Sequence, residues 1–198
     1  MQCDQLLIIA GPTCAGKSTL IDRLREGNLP SISETLHIEH PSRWKTITAI
    51  NMECYSAPDI DRLILYYDIV FRLRSIRHYG EDNALSVTAS ANLIKIVTLW
   101  ATSEILISRL KARRTQVIRE SFLSMRPFRI YGGLYRWRNI SSLLFKLNNN
   151  PDYLESVYNN WLNYCEKIEV ESHMLINCSE KEPILHPISH RHQLSVNK

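Results

Sequence analysis

Apolar positions along this chain follow two different rhythms, and the change from one to the other marks out its elements. Gln5-Leu6-Leu7-Ile8-Ile9-Ala10 is a short, nearly unbroken apolar run, which predicts a strand buried on both faces as in a parallel sheet. From Lys17 to Glu26 the spacing becomes helical: Leu20, Ile21 and Leu24 share one side, and Arg23, Arg25 and Glu26 fall elsewhere. Gly27-Asn28 is the expected stop. Further apolar runs predict strands at Arg62–Asp68, Asn92–Trp100 and His173–Cys178, with a less regular one at Thr35–Glu39.

Two more helices are expected. Thr102 or Ser103 can cap the first, which carries Leu106, Leu110 and Val117. Pro151 opens the second, whose apolar stripe includes Leu154, Val157, Trp161 and Cys165. Residues 120–142 mix Pro127, Gly132 and Gly133 with arginines and aromatics, which predicts a loop or mobile cover. Strands alternating with helices favour an α/β fold with a parallel sheet of about five strands. One domain is expected over 1–180, with a lid or insertion at about 114–150 and a flexible polar tail over 181–198.

Composition narrows the class. Of 198 residues, 44 % are hydrophobic and 22 % charged, enough apolar material for a core. Six glycines and eight prolines exclude collagen-like and low-complexity chains. No apolar run reaches the roughly 18–20 residues that span a bilayer, and no basic segment precedes the first apolar run, so neither a membrane span nor a secretory signal is expected. The five cysteines are widely spaced and odd in number, with no CxxC pair. That argues against a zinc site or disulfide framework and for a reduced, cytoplasmic protein.

The net charge of +4 is unevenly spread. Ile105–Arg138 holds nine Lys/Arg and one acid, Glu120, for a net +8, which leaves −4 on the rest. A basic segment on a slightly acidic body suits a local anionic ligand better than general nucleic-acid coating, so nucleic acid is not the expected partner.

Gly11-Pro12-Thr13-Cys14-Ala15-Gly16-Lys17-Ser18 matches G-x-x-x-x-G-K-[ST]. Loop amides can cradle a phosphate only where bulky side chains are absent, hence the glycines at both ends. The helix that follows offers unpaired N–H groups and a partial positive charge, extending the cradle through Thr19. Lys17 is expected at the β- and γ-phosphates and the Ser18 hydroxyl on Mg²⁺. A strand before the motif and an amphipathic helix after it supply the context the motif requires.

On these residues the chain resembles the P-loop nucleoside-triphosphatase superfamily. The resemblance implies a second strand ending in an acid that supports Mg²⁺, and Leu63-Ile64-Leu65-Tyr66-Tyr67-Asp68 fits, with Asp68 as candidate. Lys95–Glu104 followed by Leu106, Arg109, Leu110 and Arg113 is similar to the small-molecule and nucleoside-monophosphate kinase branch. That branch implies a three-layer sandwich with helices on both sheet faces, and an arginine-rich lid whose Arg109 and Arg113 stabilise charge on the transferring phosphoryl group. Arg114, Arg119, Arg126 and Arg129 lie at the lid base or within it.

No acidic pair follows the second strand, where several such kinases hold their acceptor, so Glu39 and Asp82 are the substitutes. Phe128, Tyr131, Tyr135 and Trp137 are read as packing the lid against the body, with stacking on a base or sugar as the alternative. Arg72, Arg74, Arg77 and His78 are read as an exposed face, and His186, His190 and His192 as a solvated tail.

The function expected is an ATP- and Mg²⁺-dependent phosphotransferase acting on a small-molecule acceptor. Gly11-Pro12-Thr13 with Gly16-Lys17-Ser18 also resembles isopentenyltransferases, where the loop holds a prenyl diphosphate. A nucleotide-binding regulatory ATPase is a third reading; no N-K-x-D tetrapeptide is present for reading guanine. Nucleic-acid binding through the 105–138 basic stretch is a fourth.

Overall fold

The structure, a computed structural model, describes residues 3–48, 60–70, 91–123, 127–178 and 184–188, with the backbone alone at 48, 60, 122 and 127–129. The chain divides into two compact units, Met1–Trp100 with Val157–Lys198, and Ala101–Ser156.

The first unit is built on a mostly parallel six-stranded sheet. Its strands are β1 (Cys3–Gly11), β2 (Lys45–Thr48), β3 (Ile60–Asp68), β4 (Ala91–Trp100), β5 (Ser172–Asn177) and β6 (Leu185–Pro187), in the order β2-β3-β1-β4-β5-β6. The first five run parallel, and β6 pairs antiparallel with β5 at the edge. Leu6 through Gly11 of the central β1 are all buried, as the unbroken apolar run predicts.

Register sorts the side chains between two faces. Tyr67, Ala10 and Thr98 are partners across β3, β1 and β4, so they share a face. Trp161 of α5 (Tyr153–Cys165) covers them: its ring stacks on Tyr67 at 4.9 Å and its indole N–H donates to the Thr98 hydroxyl at 2.8 Å. The short Ala10 between them leaves room for the indole. Lys95, three residues before Thr98, points to the opposite face, where its ammonium donates to the carbonyl of Leu36, just past α2 (Pro30–Thr35), at 2.6 Å. Helices therefore flank both faces of the sheet, a three-layer α/β arrangement.

α1 (Lys17–Arg25) ends where expected. Gly27 takes a left-handed φ of 74°, Asn28 N–H donates to Arg23 at 2.9 Å and Gly27 N–H to Leu24 at 3.1 Å, which is the Schellman pattern. The strand expected at Thr35–Glu39 is not there. Pro30 starts a helix instead, Leu29, Ile32 and Leu36 are buried at helical spacing, and His37 and His40 adopt φ of 48° that no strand accepts. The sheet's second strand in sequence is β2, paired with β3.

The second unit contains α3 (Ser103–Leu123), α4 (Pro127–Asn149) and the start of α5. In the first turn of α3, Glu104 accepts from its own N–H and from the Thr102 hydroxyl, which together hold its carboxyl below the usual carboxylate range. The loop expected over 120–142 is helical for most of its length. Gly133 is buried, and a Cβ there would fall inside the side chain of Ser121 on α3, so the missing side chain lets the two helices close. Ile140, Leu143, Leu144 and Leu147 continue the buried side of α4. Pro127 is the first helical residue, where its missing N–H costs nothing. Among the described residues no helix is long and apolar enough to cross a membrane.

Candidate functional site

Chain order reverses at β1. The strands next to it are β3 on one side and β4 on the other, with β2 beyond β3 and β5 beyond β4. The carboxyl end of β1 is therefore a topological switch point, the position where open α/β sheets hold ligands. Gly11–Gly16 leaves the sheet there.

The loop is tight. A Cβ at Gly11 would meet Cβ and the carbonyl of Leu99 at 3.2 Å and Cβ of Ala15 at 3.3 Å. Ala15 N–H returns to the Pro12 carbonyl at 3.1 Å. Cys14 has φ of 67° and Gly16 of 104°, and turns with left-handed residues gather successive amides into anion-binding concavities. Gly16 is the N-cap of α1; no side chain caps the helix and its first turn holds no acid. Its N–H groups and the positive end of its dipole are thus left to the loop.

Lys17 is 2 % exposed. Its ammonium donates to the carbonyls of Gly11 at 2.7 Å and Pro12 at 2.8 Å and pairs with Oδ2 of Asp68 at 3.4 Å. It also lies 4.9 Å from the ring centre of Tyr66, a cation–π contact. Three acceptors match three ammonium protons. Asp68 is the register partner of Gly11. Oδ2 of Asp68 accepts the Thr13 hydroxyl at 2.7 Å and Oδ1 accepts Val70 N–H at 3.1 Å. The carboxylate thus caps the turn after β3 and holds the loop at the same time.

Of the expected site residues, the loop, Lys17 and Asp68 come together. Ser18 and Thr19 are exposed on the first turn of α1. Arg109 and Arg113 belong to the second unit. Arg109 is exposed on α3, and Arg113 is half-exposed, 3.8 Å from Glu120. Glu39 does not converge on the loop: it pairs with Arg62 at 3.7 Å, near the amino end of β3, whereas Asp68 ends the same strand about 20 Å further along. Asp82, Arg72, Arg74, Arg77, His78, Arg126, His190 and His192 lie outside the described residues, as do the side chains of Phe128 and Arg129.

Sequence reading passed over Tyr66. The signal was there in the alternation of β3, since Tyr66 and Asp68 are two apart and share a face. It also missed the buried set on the other face, where the Thr98 hydroxyl lies 2.8 Å from Nε2 of His173 and receives the Trp161 N–H. Tyr158 adds a bond from its hydroxyl to the Leu99 carbonyl at 2.9 Å, behind the wall against which Gly11 rests.

The open helix start and left-handed turns suit an anion. No group of three His, Cys, Asp or Glu able to hold a metal by itself occurs among the described residues. No family model, curated protein or solved structure matches the chain.

Proposed function

We propose that the protein is an ATP- and Mg²⁺-dependent phosphotransferase acting on a small-molecule acceptor. One observation carries this reading. A buried lysine is gathered by two loop carbonyls and a strand-end carboxylate at the switch point of a parallel sheet, immediately beside an uncapped helix start. A purely structural lysine would not need the open helix start or the tight glycine turn.

The chain's own groups have distinct tasks in this reading. The loop Gly11–Thr19 binds the phosphates through the amides that its turn leaves unpaired, together with the α1 dipole. Lys17 exchanges its bonds to Gly11 and Pro12 for phosphate oxygens, which are anionic and form the stronger, charge-assisted bonds. Thr13 and Tyr66 keep Asp68 and Lys17 in place until that exchange. Ser18 and Asp68 would hold Mg²⁺, which neutralises charge on the transferred phosphoryl group. Asp68 also orients the acceptor hydroxyl. The arginine role of Arg109 and Arg113 rests on the resemblance alone.

Calorimetric titration with MgATP tests the reading. Lys17→Ala is expected to weaken binding by about a hundredfold, the scale of a lost charge-assisted contact. Unchanged affinity in that variant rejects the proposal. A metabolite-pool screen with γ-labelled ATP and mass detection then identifies the acceptor.

A further inference from the structure

Of the aromatic residues expected to pack the lid against the body, Tyr131 is 79 % exposed and Tyr135 64 %, Trp137 is 37 % exposed, and the side chain of Phe128 lies outside the described residues. Phe145, further along the same helix, is 69 % exposed. Their positions on α4 are orderly. Tyr131, Leu134, Tyr135, Arg138 and Phe145 stand at i, i+3, i+4, i+7 and i+14, one stripe along the helix. The stripe lies opposite the buried side formed by Gly133, Ile140, Leu143, Leu144 and Leu147. A helix with one face packed and a row of bare rings on the other has a use for that row beyond folding.

Charge says what kind of ligand covers it. Residues 101–156 hold ten Lys/Arg and four Asp/Glu, a net +6, leaving −2 for the rest of the chain. α4 itself has Arg129, Arg136, Arg138 and Lys146 and no acid in 23 residues. The ligand is therefore a polyanion that also presents flat apolar surfaces. A second copy of the chain would bring +6 against +6. An anionic membrane would place Arg138 in the middle of the inserted row rather than along its flank, where cations of surface-lying helices belong. A single-stranded nucleic acid meets both demands, with bases on the rings and phosphates on the guanidinium groups.

We propose that the α4 stripe Tyr131–Tyr135–Arg138–Phe145 binds single-stranded nucleic acid. This surface lies wholly within the second unit and shares no residue with the glycine loop. The Tyr131 and Tyr135 rings, one helical turn apart, stack on bases, and Arg138 pairs with the backbone. Duplex binds more weakly, because its bases are already stacked and paired.

Anisotropy titration of the full chain with labelled single-stranded and duplex oligonucleotides of about 20 nucleotides tests this. The expected result is preference for the single strand, at least tenfold weaker binding in Tyr131→Ala/Tyr135→Ala, and recovery in Tyr131→Phe/Tyr135→Phe. Arg138→Gln is expected to reduce the slope of log K against log salt by about 0.7, one phosphate contact. All four side chains are exposed, so these variants should melt with the parent, which separates lost binding from lost folding. Any of four results overturns the proposal: no binding at low salt, preference for duplex, indifference to loss of both rings, or a stripe that instead drives dimerisation or capture by phosphatidylserine vesicles. Lys17→Ala should bind the oligonucleotide normally, so failure of the phosphotransferase reading leaves this result unaffected.

Discussion

The Thr13 hydroxyl donates to Oδ2 of Asp68 at 2.7 Å, joining the middle of the glycine loop to the end of a strand 55 residues away. The same oxygen faces the ammonium of Lys17 at 3.4 Å. One carboxylate oxygen therefore sets both the loop's outer arm and its lysine.

Loss of the Thr13 hydroxyl should loosen that join. Thr13→Val is expected to destabilise the protein by about 1 kcal/mol in urea unfolding, with Thr13→Ser close to the parent. Asp68→Asn removes the partner of a buried ammonium as well, and should cost more, about 1–3 kcal/mol allowing for the partial exposure of Asp68. Equal stability in both variants would show that the loop stands without this contact.

Gly16 occupies a φ of 104°, which L-residues reach only under strain. Gly16→Ala should cost at least about 1–2 kcal/mol and weaken MgATP binding, since the turn it sustains is the one that opens the helix start. Calorimetry on the variant, paired with its unfolding curve, checks both effects.

The two adjacent glycines of α4 should respond in opposite directions. Gly132 has nothing within 4 Å of a built Cβ, so Gly132→Ala is expected to raise stability by about 0.5–1 kcal/mol through helix propensity. Gly133→Ala collides with Ser121 and should lower it by about 1–3 kcal/mol. Adding Ser121→Gly to Gly133→Ala is expected to restore part of the loss. Thermal melts of the four proteins decide.

Burial pushes the Cys3 thiol up to about 11 from 9.0, and burial with the nearby Glu166 raises Cys165 in the same direction. An unfolded chain ionises these thiols first, so the folded state holds more protons between about 9 and 11 and loses stability as pH rises through that window. Urea midpoints should fall over that range, less steeply in Cys3→Ala. At pH 8, native protein should show Cys14 and Cys178, both half-exposed, reacting with a thiol reagent ahead of Cys3 and Cys165 in a peptide map.

Much of the first unit was legible because local pattern and tertiary role agree there. β1 is apolar at every core position, so its burial on two faces needed no knowledge of neighbours. The stop of α1 at Gly27 and the motif from Gly11 to Ser18 are likewise local: glycine is wanted where φ turns positive or a backbone comes close, and those needs are written at the positions themselves. Two regions misled. Leu36 and Ile38 alternate with polar residues like a strand, but Leu36 is buried with Leu29 and Ile32 at helical spacing and His37 turns the backbone left-handed. Gly132 and Gly133 read as breakers, yet one of them is the contact that lets α3 and α4 pack.

By itself, the amino-acid order determined the alternation of strands and helices, the glycine turn and the lysine that follows it, since these depend on side chains within a few residues of one another. Folding in three dimensions decided which acid the lysine meets, which helix face stays bare and which glycine carries a packing load. The first depends on strand order, which brings Asp68 to Lys17 across 51 residues, and the others on how α3 and α4 pack, as where Gly133 meets Ser121; no short window of sequence contains them.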